Sequence, residues 1–264
     1  MTTLNEPQDK LILYRGFPPA KKYVWSPFVT KLECRLRLSN LQYTPQEGTI
    51  QEGPLGKIPY VDVSPLTESP SRELIGDSSI IIDTLVQKGF AVDLNASLTP
   101  EQKVTDLGIR ALCEDKLYFF NMAERWLDNY YTQRDHILQS KPWAVRYVIG
   151  NMIYNNVSST LHGQGVGRYK RDEQRRMREE IWTVLEGLLK QRLEEAVGRK
   201  GPFWVLGLRT PTEADAVLFG CVNSVLVCDS CPESRAFVRG CASVMEYAGR
   251  IHDKVFAEYE KWVV

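Results

Sequence analysis

Three short stretches of the chain decide its fold, and they occur in this order: Ser26-Pro27-Phe28, Lys57-Ile58-Pro59 and Gly76-Asp77-Ser78-Ser79. The first can begin a helix, because serine is a favourable N-cap and proline fits the first helical position. The second opens the alternating run 58–63, which predicts a strand. The third precedes three isoleucines and predicts a second helix over 78–88. A proline-containing strand is therefore expected between two helix starts.

The neighbouring segments extend this pattern across the first third of the chain. Leu11-Ile12-Leu13-Tyr14 is a short apolar run that predicts a buried first strand. The segment of residues 41–44 predicts a second strand. The glycine-containing segment 46–57 predicts an irregular connection, and 72–75 predicts a strand beside the proline-containing one. The expected order is β-α-β-β-β-α, in a first domain that spans residues 1–91.

The rest of the chain shows helical periodicity without a clear hairpin signal. Thr99-Pro100-Glu101-Gln102 has the residues of a capped helix start, and one long helix is expected from there to about Trp126. Thr212 and Asp215 can form a second capping box ahead of an apolar helix. We therefore expect an all-helical domain over residues 99–264.

The overall charge and the apolar stretches limit the classes of partner. Lys and Arg total 33, as do Asp and Glu, so no net charge attracts nucleic acid or membrane surfaces. The most apolar stretch, 216–228, is shorter than the ~20 residues that a bilayer span needs. Residues 1–10 are polar and lack the apolar core of an export signal. These features predict a cytoplasmic protein with no nucleic-acid partner and no membrane partner.

Six cysteines are scattered along the chain. Without an export signal, buried reduced thiols are favoured over a disulfide framework. Cys228-Asp229-Ser230-Cys231 has the C-x-x-C spacing of redox and zinc sites, but it follows an expected helix and lacks a second pair of similar spacing. A structural role is therefore expected for these cysteines, and no metal site is predicted.

With these residues placed, the chain resembles a glutathione transferase over almost its whole length. The implied fold class is α+β, with a thioredoxin-like domain that binds glutathione followed by an all-helical substrate domain. Ser26-Pro27-Phe28, Lys31-Leu32-Glu33 and Gly76-Asp77-Ser78 are similar to the failed-axon-connections and metaxin-like branch and, more loosely, to serine-type transferases. Dimers are common among proteins of this fold, so the resemblance also implies a homodimer.

The resemblance implies a glutathione site built from six residues: Ser26, Lys57, Ile58, Pro59, Asp77 and Ser78. In it, Ser26 lies beside the glutathione sulfur and the backbone of Ile58 pairs with the cysteinyl residue, next to a cis peptide bond at Pro59. Asp77 and Ser78 hold the γ-glutamyl end, although either could simply cap a helix. Lys57 can reach the glycyl carboxylate or remain solvated.

The interactions that a serine at a helix start can make are of the right size to ionise a bound thiol. Lowering a thiol pKa by about two units requires about 2.7 kcal/mol. A hydrogen bond to a charged group supplies roughly 1.5–3 kcal/mol and a helix N-terminus roughly 0.3–1 kcal/mol. Ser26 can alternatively act only as a cap, and Tyr14 is a rival hydroxyl that can equally be a core aromatic. Trp126 and Tyr130 are candidates for the wall that receives an apolar substrate, or for core packing.

The sequence therefore predicts a glutathione-dependent enzyme that acts on an electrophilic, apolar small molecule. The thiolate would either conjugate to the electrophile or add reversibly, so that a double bond isomerises before the thiol leaves. A serine in place of a cysteine argues against disulfide exchange, because no protein thiol is present to form a mixed disulfide. The alternative is a non-catalytic, metaxin-like protein that uses the same fold for protein contacts.

Overall fold

The computed structural model of the protein describes residues 10–198 and 200–262. A mixed four-stranded sheet forms the centre of the first domain, in the order β2-β1-β3-β4, with β1 parallel to β2 and the other pairs antiparallel. The strands are β1 (Leu11–Tyr14), β2 (Tyr43–Gln46), β3 (Tyr60–Asp62) and β4 (Leu74–Gly76).

Helices α1 (Pro27–Leu38), α2 (Ser64–Thr67) and α3 (Ser78–Gln87) complete the first domain. Helix α1 begins at Pro27, as predicted. The short helix α2 lies in the connection between β3 and β4. No helix is described between β2 and β3, so the irregular connection is confirmed for these residues.

The helical part of the chain follows a connection that ends at Thr99. Its elements are α4 (Pro100–Ala111), α5 (Tyr118–Ala123), α6 (Tyr130–Ile137), α7 (Trp143–Gln164), α8 (Arg171–Glu195), α9 (Glu213–Val227), α10 (Pro232–Arg239) and α11 (Ala242–Val255). The predicted long helix is interrupted by two π-helical segments, Leu112–Leu117 and Glu124–Asp128. The α+β fold class, a thioredoxin-like domain followed by a helical domain, is confirmed.

Both predicted capping boxes are present at helix starts. The amide of Gln102 donates to the Thr99 hydroxyl (3.3 Å), and the amide of Thr99 donates to the Gln102 side chain (3.0 Å). The buried Asp215 carboxylate accepts from the amide of Thr212 (2.8 Å) and from the phenol of Tyr247 (2.9 Å). This second box therefore fixes the start of α9 within the helical core.

Helix α1 is shared between two hydrophobic cores. Leu32 and Leu36 pack with the sheet, whereas Cys34 belongs to the core around α9. At the contact between α1 and α9, a Cβ on Gly220 would lie 2.5 Å from the carbonyl oxygen of Pro27. The two helix backbones therefore meet closely, and the helical domain holds the N-terminal end of α1 in place.

Membrane-spanning potential is low among the described helices. No single described helix is both long and apolar enough to cross a bilayer, and only α9 with α10 together reach that length and composition, across a 115° bend.

Candidate functional site

A cavity of about 490 Å³ opens between the first domain and the start of the helical domain. The five residues predicted to hold glutathione by its backbone and termini all line it: Lys57, Ile58, Pro59, Asp77 and Ser78. The other lining residues are Phe28, Ser79, Glu114, Asp115, Tyr118 and Phe119. Two stretches that lie 20 residues apart in the sequence are thus brought to one site.

A second cavity, of about 860 Å³, is larger but contains none of the predicted site residues. It lies between β2 and the C-terminal part of the chain and is lined by, among others, Arg37, Tyr43 and Trp204. Because its position is remote from the starts of α1 and α3, we assign the chemistry to the smaller cavity.

The start of β3 supplies the first part of the site. The Ile58–Pro59 peptide bond is cis, as the resemblance implied. Pro59 is buried and Ile58 is half-buried, and β3 begins at the next residue. The peptide groups of 57–59 therefore lie at the cavity wall, where an extended peptide could pair with the backbone.

Asp77 performs the helix-capping role that was the alternative to ligand binding. Its Oδ1 accepts hydrogen bonds from the amides of Ser79 (2.9 Å) and Ile80 (3.4 Å) at the start of α3. Its φ is +68°, a left-handed conformation that aspartate tolerates better than most residues. The cap places a carboxylate and the first amides of α3 at the cavity wall, next to the buried Ser78.

Lys31 and Glu114 form a buried ion pair beneath the cavity that sequence reasoning did not identify. Nζ of Lys31 donates to Oε1 of Glu114 (2.7 Å) and to Oγ of Ser79 (2.8 Å), and Lys31 is only 3% exposed. The lysine thus joins α1, α3 and the helical domain at one point. A signal was available, because Lys31 lies three residues after Phe28 and so shares its face of α1.

Aromatic side chains from both domains form the apolar wall of the cavity. The rings of Phe28 and Tyr118 meet edge to face, with centroids 4.9 Å apart, and Tyr118 contacts Phe119 at 5.3 Å. Burial raises the pKa of the Tyr118 phenol, so this hydroxyl remains protonated and can act as a donor. Sequence reasoning missed Tyr118 and Phe119, since nothing local indicates which aromatic residues face the first domain.

Ser26 is the N-cap residue of α1 and is half-buried. Its side chain makes no capping hydrogen bond to the described backbone, while its carbonyl oxygen accepts from the amide of Thr30 (3.4 Å). Ser26 lies two residues before Phe28 but is not among the described residues that line the cavity. The proposed role of Ser26 at the sulfur stays a prediction.

The other three candidates do not line the cavity either. Tyr14 stacks on Tyr60 with ring centroids 4.5 Å apart, and its hydroxyl accepts from Arg72 (2.6 Å). Trp126 is buried in a cluster of apolar helical-domain residues, and the phenol of Tyr130 donates to Asn151 (3.2 Å). In this structure these three side chains contribute to packing and local hydrogen bonds.

Comparison with known proteins agrees with this architecture. Residues 27–131 match the family model described as the glutathione S-transferase N-terminal domain. Glutathione transferase GSTFuA3 from Phanerochaete chrysosporium superposes with a TM-score of 0.58 at 14% identity, covering 97% of this chain and 100% of that one. The beta-etherase LigF from a Sphingobium species gives a TM-score of 0.57 at 13% identity, covering 94% and 99%.

A glutathione transferase from Methylobacterium radiotolerans, solved in complex with glutathione sulfonate, is also similar. Its TM-score is 0.55 at 15% identity, and the match covers 97% of this chain and 98% of that one. At these identities the likeness establishes the fold. The chain therefore has the glutathione transferase fold, and residues 27–131 match the model of the N-terminal domain of that family.

Proposed function

Because residues 27–131 match the glutathione S-transferase N-terminal domain and the chain has that fold, we propose that it binds glutathione and adds its thiolate to an apolar electrophile. One observation carries this proposal. Residues 57–59 and 77–78, selected from the sequence for a glutathione site, line one cavity together with aromatic side chains of the helical domain.

In this proposal the tripeptide lies along the start of β3. The backbone of Ile58 pairs with the cysteinyl residue, and Lys57 meets the glycyl carboxylate. At the other end, the amide and hydroxyl of Ser78 receive the γ-glutamyl carboxylate, while Asp77 meets the ammonium group. The Asp77 carboxylate retains its second oxygen for this contact, since its capping bonds use Oδ1.

The thiolate would be stabilised at the start of α1. The Ser26 hydroxyl makes no capping bond to the described backbone, and it can donate its proton to a sulfur whether or not its oxygen accepts from an amide. Together with the helix N-terminus, this hydroxyl would stabilise the thiolate by about 2–4 kcal/mol. This range includes the roughly 2.7 kcal/mol needed to make the thiolate the major form at neutral pH.

The electrophile would bind against Phe28, Tyr118 and Phe119. These rings form an apolar surface at the cavity, which favours a substrate with a flat apolar part. Thiolate addition forms a carbon–sulfur bond. In conjugation this bond remains in the product, whereas in isomerisation it breaks again after rotation about the former double bond, and the thiolate is regenerated.

We also expect a cytoplasmic homodimer. Val104 and Leu107 on α4 are 72% and 57% exposed, and they lie on the helix that leads to the cavity residue Glu114. An exposed apolar pair at this position is suited to a subunit contact. Sedimentation of wild-type protein and of a Leu107→Glu variant would test it, since the variant should shift toward monomer.

Thermal stabilisation by glutathione is the direct test of binding. At one hundred times Kd, a ligand specific for the folded state adds about 2.7 kcal/mol, which corresponds to roughly 5–10 °C in Tm for a chain of this size. S-methylglutathione is the matched control, because it retains all peptide contacts but cannot ionise. No shift with either compound at millimolar concentration would contradict the proposal.

Ser26→Ala then separates binding from thiol activation. The variant should keep its glutathione affinity within about twofold but raise the pH at which thiolate absorbance appears by about one to two units. Thr30→Ala, which changes a buried hydroxyl of the same helix away from the cavity, serves as the control. An unchanged titration in Ser26→Ala would show that another group ionises the thiol.

A non-catalytic interaction protein is the second candidate. Two observations favour it: Ser26 is not among the described cavity-lining residues, and Val145, Val148 and Met152 form an exposed apolar stripe on α7. Their i, i+3, i+7 spacing is that of a helix-pairing surface. Glutathione binding without conjugation or isomerisation of a panel of model electrophiles would support this candidate.

A further inference from the structure

The Cys228–Cys231 segment links the end of α9 to the start of α10. Cys228 follows the last residue of α9, and Cys231 is the N-cap of α10. The amide of Cys231 donates to the carbonyl oxygen of Cys228 (3.2 Å), which closes a four-residue turn. Such a turn holds its end Cα atoms within about 7 Å, and a disulfide spans Cα separations of about 4.4–6.8 Å. The backbone is therefore compatible with a bond between the two sulfurs.

Arg125 places a positive charge against this turn. Its Nε donates to Sγ of Cys231 (3.1 Å), and its Nη1 and Nη2 donate to the carbonyl oxygens of Trp25 (3.0 Å) and Ser224 (3.2 Å). The arginine is 8% exposed, and no carboxylate of the described residues lies within ion-pair distance of it. A buried guanidinium requires a counter-charge, and the adjacent cysteine pair, of which Arg125 contacts the Cys231 sulfur, can supply one as a thiolate.

Cys228 has the properties expected of that thiolate. Burial raises the pKa of its thiol, but hydrogen bonding from Cys231 and the charge of Arg125 outweigh this and lower the pKa to about 6. A hydrogen bond from the backbone of Ser230 contributes in the same direction. By contrast, burial raises the pKa of Cys241 to about 11. Burial and the hydrogen bond to Cys228 raise the pKa of the Cys231 thiol, so Cys228 is the thiolate of the pair.

We propose that Cys228 and Cys231 are a redox-active dithiol, which hydrogen peroxide converts to an intramolecular disulfide. The Cys228 thiolate attacks one oxygen of the peroxide, so that a sulfur–oxygen bond forms, the oxygen–oxygen bond breaks and hydroxide leaves, taking up a proton to become water. The Cys231 thiol then attacks the resulting sulfenic acid, forming the disulfide and releasing a second water. Two thiols lose two electrons in total, and one peroxide is reduced.

An oxidant must reach this pair through the turn itself. Both cysteines are fully buried, and Asp229 is the exposed residue of the segment 228–231. Peroxide is little larger than water, whereas a peptide disulfide would require the turn to open. Oxidation to the disulfide removes the negative charge of the cysteine pair beside Arg125. Nη1 of Arg125 also donates to the carbonyl oxygen of Trp25, the residue before Ser26.

The test is to treat the reduced full-length protein with peroxide, then denature it, alkylate it and measure its mass. Alkylatable thiols should fall from six to four. The tryptic peptide 210–235 contains Cys221 as well as the pair, so fragmentation of this peptide must place the bond at 228 and 231. Because the wild-type peptide locates the bond itself, the result does not depend on a variant that folds.

Two further measurements complete the test. Cys241→Ser should still lose two thiols, whereas Cys228→Ser should form no intramolecular disulfide. The oxidation rate should rise with pH through a midpoint near 6, and at pH 7 should exceed that of an ordinary cysteine by roughly tenfold or more, because the thiolate fraction is larger. Six intact thiols after treatment, a disulfide involving another cysteine, or a midpoint at or above about 8.5 would each overturn the proposal.

Discussion

Replacing Lys31 with methionine should lower the free energy of unfolding by about 2–4 kcal/mol. Its ammonium group lies 2.7 Å from Glu114, and the side chains of the two residues are 4% and 20% exposed. Removing one partner of a buried ion pair costs about 3–5 kcal/mol, because the remaining charge loses its compensation. We lower that range because Glu114 is partly exposed and water can solvate its carboxylate once the lysine is absent.

A double-mutant cycle isolates the interaction. Urea unfolding of Lys31→Met, Glu114→Gln and the double variant should give a coupling energy of at least about 1.5 kcal/mol. The matched control is Lys88 with Glu73, at a nearly equal distance of 2.8 Å but with side chains 37% and 39% exposed. Its coupling should be about 0.2–1 kcal/mol. If both pairs give the same coupling, burial does not strengthen the Lys31–Glu114 pair and the reasoning is refuted.

Three other perturbations have defined outcomes. Asp77→Asn should keep stability within about 0.5 kcal/mol, since asparagine caps helices and tolerates positive φ, but should weaken glutathione binding about tenfold or more by calorimetry. Gly220→Ala should lower the free energy of unfolding in urea by about 1–3 kcal/mol, because the added Cβ would meet the backbone of α1. The control is Gly187→Ala, at an exposed position of α8 without nearby atoms, which should raise the free energy of unfolding by about 0.5–1 kcal/mol. Equal effects of the two substitutions would contradict the close packing of α1 against α9. Burial lowers the pKa of His136, so the unfolded chain binds a proton at this residue more readily than the folded chain does. As the pH falls below about 6.5, the wild type should therefore lose stability relative to His136→Phe. Parallel stability curves of the two proteins from about pH 5 to 8 would contradict this.

Helix starts that depend on a few neighbouring residues could be predicted from the sequence. The start of α1 at Pro27, the box of Thr99 with Gln102 and the box of Thr212 with Asp215 each depend on residues within one turn of helix. Residues 57–59 and 77–78 were identified as cavity residues through the family resemblance that the order of these signals supports. The order of these short signals also determined the fold, because few topologies place two helix starts around a proline-containing strand.

Features that depend on tertiary contacts could not be predicted from the sequence. The prediction for β2 was displaced by two residues, since proline 45 is tolerated only because this strand lies at the sheet edge. The π-helical segment 112–117 changes which residues of the helix face the cavity, so Glu114 and Tyr118 could not be selected by a regular helical period. The helical periodicity predicted that Trp126 lies in an apolar environment, but it did not predict which side of the helical bundle Trp126 faces.

Helix α1 forms a wall of both hydrophobic cores, and this makes the first domain inseparable from the rest of the chain. A fragment ending before α4 would leave Cys34 and its neighbours on α1 without the cover of α9. Chimaeras that combine this domain with a helical half from another transferase would therefore need a residue as small as glycine opposite Pro27. In recombination experiments, position 220 should be inherited together with α1, whatever the sequence distance between them.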